Sequence, residues 1–99
     1  MSGSENWQEI RDRRMGEPGA VEAYEHARLA FELGRQVRGL REERSWSQRQ
    51  LAEAARMTQS AVARLEAGGT TPTLPVLERI AHALRVELVV KLVGQGAAA

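Results

Sequence analysis

The chain has 99 residues, 42% of them hydrophobic, and a net charge of +1, which suits one small domain whose core a partner subunit would help to complete. It has no cysteine, so disulfide staples and thiolate metal sites are excluded and a reducing cytoplasm fits. The opening MSGSENWQEIRD is polar and lacks a signal core, and no apolar run approaches the roughly 20 residues that span a bilayer, so a soluble cytoplasmic protein with no membrane partner is expected.

Asn6 is a good N-cap with Glu9 three residues on, which predicts a helix to about Met15 with Trp7 and Ile10 as its apolar points. Gly16, Pro18 and Gly19 end it. A longer helical pattern runs from about Ala20 to Arg44. Ala23, Ala27, Ala30, Phe31, Gly34, Val37 and Leu40 recur there at spacings of three and four, giving one apolar stripe. Gly34 costs a helix about 1 kcal/mol against Ala. It marks either a bend or the close approach of another helix.

Ser47 caps the next helix, and Gln50 completes a capping box. Trp46 and Leu51 stand at the positions of a hydrophobic staple across that cap. The helix is expected to end near Arg56. Thr58 then caps a helix to about Ala67, with Met57 and Val62 in the same staple positions and Gly68-Gly69 as the stop. Thr73 caps a further helix over Leu74 to Leu84, where Pro75 is tolerated in the first turn. In VELVVKLV the period changes to two. Val86, Leu88, Val90 and Leu92 share one side and Glu87 and Lys91 the other, which predicts a strand. No second strand is visible in the chain, and an unpaired edge is disfavoured, so pairing with the same strand of a second subunit is expected. Such pairing would make a two-fold dimer.

Two helices of about eight to ten residues joined by a three-residue turn match the helix-turn-helix plan. Ala52 is small enough for a close crossing, and Val62 and Leu65 face Leu51 and Ala55. Gln59, Ser60, Ala63 and Arg64 are then left outward near the start of the second helix, the end that enters a major groove. Their chemistry suits base edges. Gln bonds adenine at N6 and N7, Arg makes a bidentate contact to guanine, Ser donates or accepts, and the Ala methyl touches thymine. Gln48, Thr70 and Thr71 are placed for phosphates. Residues 44–64 carry four arginines against one glutamate, a local balance of +3. A basic face of this kind attracts phosphates although the whole chain is near neutral. The same excess also describes an ordinary solvated face.

The stretch SQRQLAEAARMTQSAVARLEAGGTTPTLPVLERIAHAL resembles the helix-turn-helix family of phage repressors and xenobiotic-response-element (XRE) regulators. It carries S-Q-x-x-L-A, then T-Q-x-x-V-x-R-L-E-x-G, then P-T-L-x-x-L-x-x-I-A-x-A-L. The resemblance implies a mainly α fold, a lambda-repressor-like bundle over residues 31–84. It would have an N-terminal helical extension (1–30) and a C-terminal dimerisation strand with a flexible tail (85–99). It implies that Arg41 and Glu66 form a partly buried ion pair. It implies base-reading roles for Gln59, Ser60 and Arg64, and phosphate contacts by Gln48, Thr58 and Thr70. The family usually has Gly where this chain has Arg56. Either Arg56 is left-handed, at a cost of roughly 1–2 kcal/mol, or the turn is slightly rewound.

The flanks ENWQEIRDRR…AYEHARLAFELG and VELVVKLV are similar to HigA-type antitoxins of bacterial toxin–antitoxin operons. That resemblance implies a protein that neutralises a small RelE/HigB-like ribonuclease toxin and represses its own operon. The alternative is a stand-alone XRE-type repressor. In the antitoxin reading Trp7, Ile10 and Arg14 dock the toxin; in the stand-alone reading Trp7 and Ile10 cover the domain's own core. His26 and His82 lie on separate helices without cysteines or clustered acids. No metal, cofactor or catalytic arrangement is expected, and the protein is read as a non-enzyme.

Overall fold

A computed structural model describes residues 19–94, and among them it has four helices and no strand. They are α1 (Ala20–Glu43), α2 (Gln48–Ala55), α3 (Gln59–Glu66) and α4 (Leu74–Leu84). The expected helix from Asn6, with Trp7, Ile10 and Arg14, lies outside the described residues.

Three helix starts follow from local chemistry. The Ser47 hydroxyl accepts from the Gln50 amide at 3.0 Å, and the Gln50 side chain accepts from the Ser47 amide at 2.7 Å, closing a capping box. Thr58 Oγ1 accepts from the Ala61 amide at 3.0 Å and Thr73 Oγ1 from that of Val76 at 3.4 Å. Each cap satisfies an amide that the first turn would leave unpaired.

All four helices stop in the same way. After α1, α2, α3 and α4 come Ser45, Arg56, Gly68 and Arg85, each left-handed, with φ between 57° and 78°. Each donates its amide to the carbonyl three residues back, and the next amide reaches the carbonyl five back, the two-bond Schellman pattern. Only one of the four is glycine. Where it is not, the following residue is a large apolar one, and Trp46, Met57 and Val86 all pack on the core. That contact is the usual companion of the motif. It offsets a left-handed strain of about 1–2 kcal/mol. Arg56 therefore keeps the left-handed turn (φ 60°, ψ 48°), and the turn is not rewound.

The core joins Val37 of α1, Leu51, Ala52 and Ala55 of α2, Val62 and Leu65 of α3, and Ile80 and Leu84 of α4. Gly34 is a place of close approach. A Cβ there would fall 2.7 Å from the Glu66 carbonyl oxygen and closer still to that of Leu65. Small residues elsewhere in the expected stripe are not covered. Ala30, Gly34 and Val37 are buried, but Ala23, Ala27 and Phe31 are exposed, so the covered part of the stripe starts at Ala30. Helical periodicity identifies a face; it does not say how far along that face a neighbour extends.

The expected strand over residues 86–93 is absent. A strand exists by its ladder hydrogen bonds, and the described residues offer no second strand to supply them. Val86 and Leu88 are half-buried and help line a groove with Leu33, Val37, Leu40, Leu77 and Leu84, so the segment folds back on α1 and α4. Val90 and Leu92 are exposed, as are Val89 and Val93.

Arg85 is exposed and makes no side-chain hydrogen bond or ion pair among the described residues. Arg85→Gly should therefore relieve its left-handed strain at the cost of extra freedom in the unfolded chain. A net gain of about 0.5–1 kcal/mol is expected. A thermal melt should show the midpoint a few degrees higher; a lower midpoint would mean that Arg85 is not strained.

Candidate nucleic-acid interface

α2 and α3 meet through Leu51, Ala52 and Ala55 on one side and Val62 and Leu65 on the other, all buried. With those positions turned inward, the opposite side of α3 is open. Gln59, Ser60 and Arg64 are exposed on it, and Ala63 beside them is half-buried. Gln59 and Ser60 are the first two residues of α3, directly after the Thr58 cap. The polar side chains thus stand at the end of the helix that carries the positive pole of its dipole.

Charge around this face is one-sided. Arg56 and Arg64 enter no ion pair among the described residues and are exposed. Arg49 is exposed too and stands 3.7 Å from Glu53, a loose pairing between two solvated groups. Arg44 turns back on its own helix, where Nη1 donates to the Leu40 carbonyl at 2.7 Å. Within α2, α3 and the turn between them, the exposed cations available to an anionic partner are therefore Arg49, Arg56 and Arg64.

Behind the face lies a buried polar cluster. Arg41 Nε donates to Glu66 Oε2 at 2.7 Å, and Nη2 donates to Oε1 at 3.0 Å, a bidentate pair. Arg41 Nη1 donates to the Trp46 carbonyl at 2.7 Å. Gln48 Nε2 donates to Glu66 Oε1 at 3.1 Å. The Glu66 side chain is 3% exposed and that of Arg41 11%. The hydrogen bonds to Glu66 hold the guanidinium above its ordinary pKa, against the burial that works the other way. No buried side-chain nitrogen or oxygen among the described residues is left without a partner. Three elements are tied at this point: the end of α1, the start of α2 and the end of α3.

The residues expected to touch phosphate are placed in two groups. Gln48 is half-buried and gives one of its two amide hydrogens to Glu66, which leaves the second for an outside acceptor. Thr58 is exposed, its oxygen accepting the cap bond. Thr70 and Thr71 are exposed in the loop after α3. Thr71 Oγ1 lies 3.2 Å from His26 Nε2 of α1, a contact the sequence did not signal. The Gln48–Glu66 bond was likewise not expected. Among the described residues there is no group of His, Cys, Asp or Glu fit to hold a metal ion, and no helix long and apolar enough to cross a membrane.

A family model described as helix-turn-helix matches residues 37–90. Among solved structures, the chain is similar to the restriction-modification controller protein C.AhdI from Aeromonas hydrophila. The two share 29% identity and a TM-score of 0.61, over 63% of this chain and 90% of that one. No curated protein matches the chain.

The polar cluster gives a sharp expectation. Arg41→Met leaves a buried carboxylate with Gln48 as its only partner, and should cost about 3–5 kcal/mol. A urea titration should show the midpoint falling with an unchanged slope. Adding Glu66→Leu removes the stranded charge and should recover part of the loss. A loss under about 1 kcal/mol for the single variant would show that the pair does not brace the domain.

Proposed function

The chain belongs to the helix-turn-helix family, and on that basis we propose that it is a sequence-specific transcriptional regulator of the XRE type that binds operator DNA. DNA binding and regulation are what the family supports; a non-enzymatic role follows with them. The observation that carries the reading is the open face of α3, where Gln59, Ser60 and Arg64 stand exposed over a braced backbone. In this reading they and Ala63 contact base edges, and Gln48, Thr58, Thr70 and Thr71 contact phosphates. The similarity to a restriction-modification controller protein supports a regulator that stands without a toxin partner.

The protein acts as a homodimer on a palindrome in this proposal. Support comes from the exposed apolar run Val89, Val90, Leu92 and Val93, a patch that a lone soluble chain seldom leaves open. In the dimer, Val86, Leu88, Val90 and Leu92 pair with the same segment of a second copy, which supplies the ladder that one copy lacks.

Selection from a random duplex library tests both parts. A palindromic consensus with half-sites about one helical turn apart is expected. Arg64→Ala should weaken binding to the selected duplex by about 1–3 kcal/mol and relax preference at one position, with the melting temperature unchanged. Selection that enriches no sequence, or an Arg64→Ala protein that binds as the wild type does, would remove the reading.

A second reading, an antitoxin for a RelE/HigB-like ribonuclease, draws on the first turns of α1. Val21, Leu29 and Phe31 are about half-exposed there. Glu22, Glu25 and Glu32 lie among them, and Arg28 is already paired with Glu25 and Glu32. An apolar and acidic surface suits a basic protein partner. Co-expression with the product of the adjacent gene should give a stable complex if this holds; a neighbour that neither binds nor arrests growth would end it.

A further inference from the structure

The contact between His26 and Thr71 joins residues 45 positions apart. It lies where α1 passes beneath the end of α3 and the loop that follows. Gly34 admits the carbonyls of Leu65 and Glu66. Three residues earlier, the backbone of Phe31 stands 2.8 Å from where a Gly68 Cβ would be. Five residues further toward the N-terminus, His26 reaches the loop itself at Thr71. Both side chains are exposed. The imidazole is therefore not a core histidine.

We infer that His26 is a positioning residue of the DNA interface, setting the Thr71 hydroxyl for a backbone phosphate. The inference rests on the DNA-binding reading above. A duplex whose major groove admits α3 carries a sugar–phosphate strand on each side of that helix. The loop leaving α3 therefore lies beside one of them. A threonine hydroxyl has one hydrogen to give and can accept at its oxygen. When His26 Nε2–H donates to Thr71 Oγ1, one of the oxygen's two lone pairs is taken up inside the protein and the hydroxyl hydrogen stays free to point outward. A phosphate oxygen, which only accepts, is the partner that such a hydroxyl fits. The footprint ends there, because Glu22 stands four residues before His26, one turn along the same side of α1. A carboxylate at that place repels a phosphate strand that ran further along the helix.

The contact is to the backbone, so a mixed-sequence duplex roughly three turns long serves as the probe. Binding is read by fluorescence anisotropy at low salt. His26→Leu, similar in size but without a donor, should weaken binding roughly two- to tenfold. His26→Gln carries an N–H at similar reach and should restore it. Thr71→Val should match His26→Leu, and the double variant should be no worse than either, because the two residues act as one unit. The loss should be the same on a selected operator duplex, since a phosphate contact carries no sequence preference. His26→Leu binding as tightly as wild type would overturn the inference alone. So would a His26→Gln protein no better than His26→Leu, or additive losses in the double variant. A wild-type protein that bound no duplex at all would remove the DNA-binding reading and this inference with it.

Discussion

A buried carboxylate must have partners, and Glu66 finds all of its own across element boundaries. Arg41 comes from α1 and Gln48 from α2, and both meet the last residue of α3. Arg41 also holds the Trp46 carbonyl just before α2 begins. The relative placement of α2 and α3 is thus set partly from behind the open face of α3. Gly34, Val37 and Arg41 share the face of α1 that serves this purpose. The first lets the α3 backbone come close, the second fills the core, and the third closes the ion pair. An ion pair buried this deeply is weak evidence for net stability, since an apolar substitute of like shape often does as well. Its geometry is bidentate, however, and a bidentate pair accepts few relative orientations.

The helix ends show the same division between local and tertiary causes. A left-handed residue is disfavoured by its own Cβ, which is why glycine is usual there. Ser45, Arg56 and Arg85 take that conformation because the amide bonds behind them and the apolar residue after them both require it. The tight turn between α2 and α3 therefore does not depend on a glycine. It depends on Met57 reaching the core.

Much of the fold was legible because its signals are short-range. The caps at Ser47, Thr58 and Thr73 act over three residues, and the buried set of α2 and α3 follows from spacing alone. What was not legible depends on what lies across from a residue. Gly34 as bend and Gly34 as crossing point read identically until the carbonyls of Leu65 and Glu66 are in view. Ala23, Ala27 and Phe31 continue the stripe in sequence but are exposed in space. The period-two run from Val86 to Val93 has the composition of a strand and, among the described residues, no strand beside it. At the candidate interface, the outward exposure of Gln59, Ser60 and Arg64 could be read from the positions turned inward. The commitment of Gln48 to Glu66 could not, since nothing in the spacing of residues 48 and 66 brings them together.

α1 is a single 24-residue helix without a proline or a break, about 36 Å from end to end. Its second half grips the far end of α3 through Gly34 and Arg41, and most of its first half stands in solvent. Mechanically that is a lever with its fulcrum under α3. Any body that takes hold of the exposed arm moves His26, Phe31 and Arg41 together, because no break in the helix lies between them to absorb the motion.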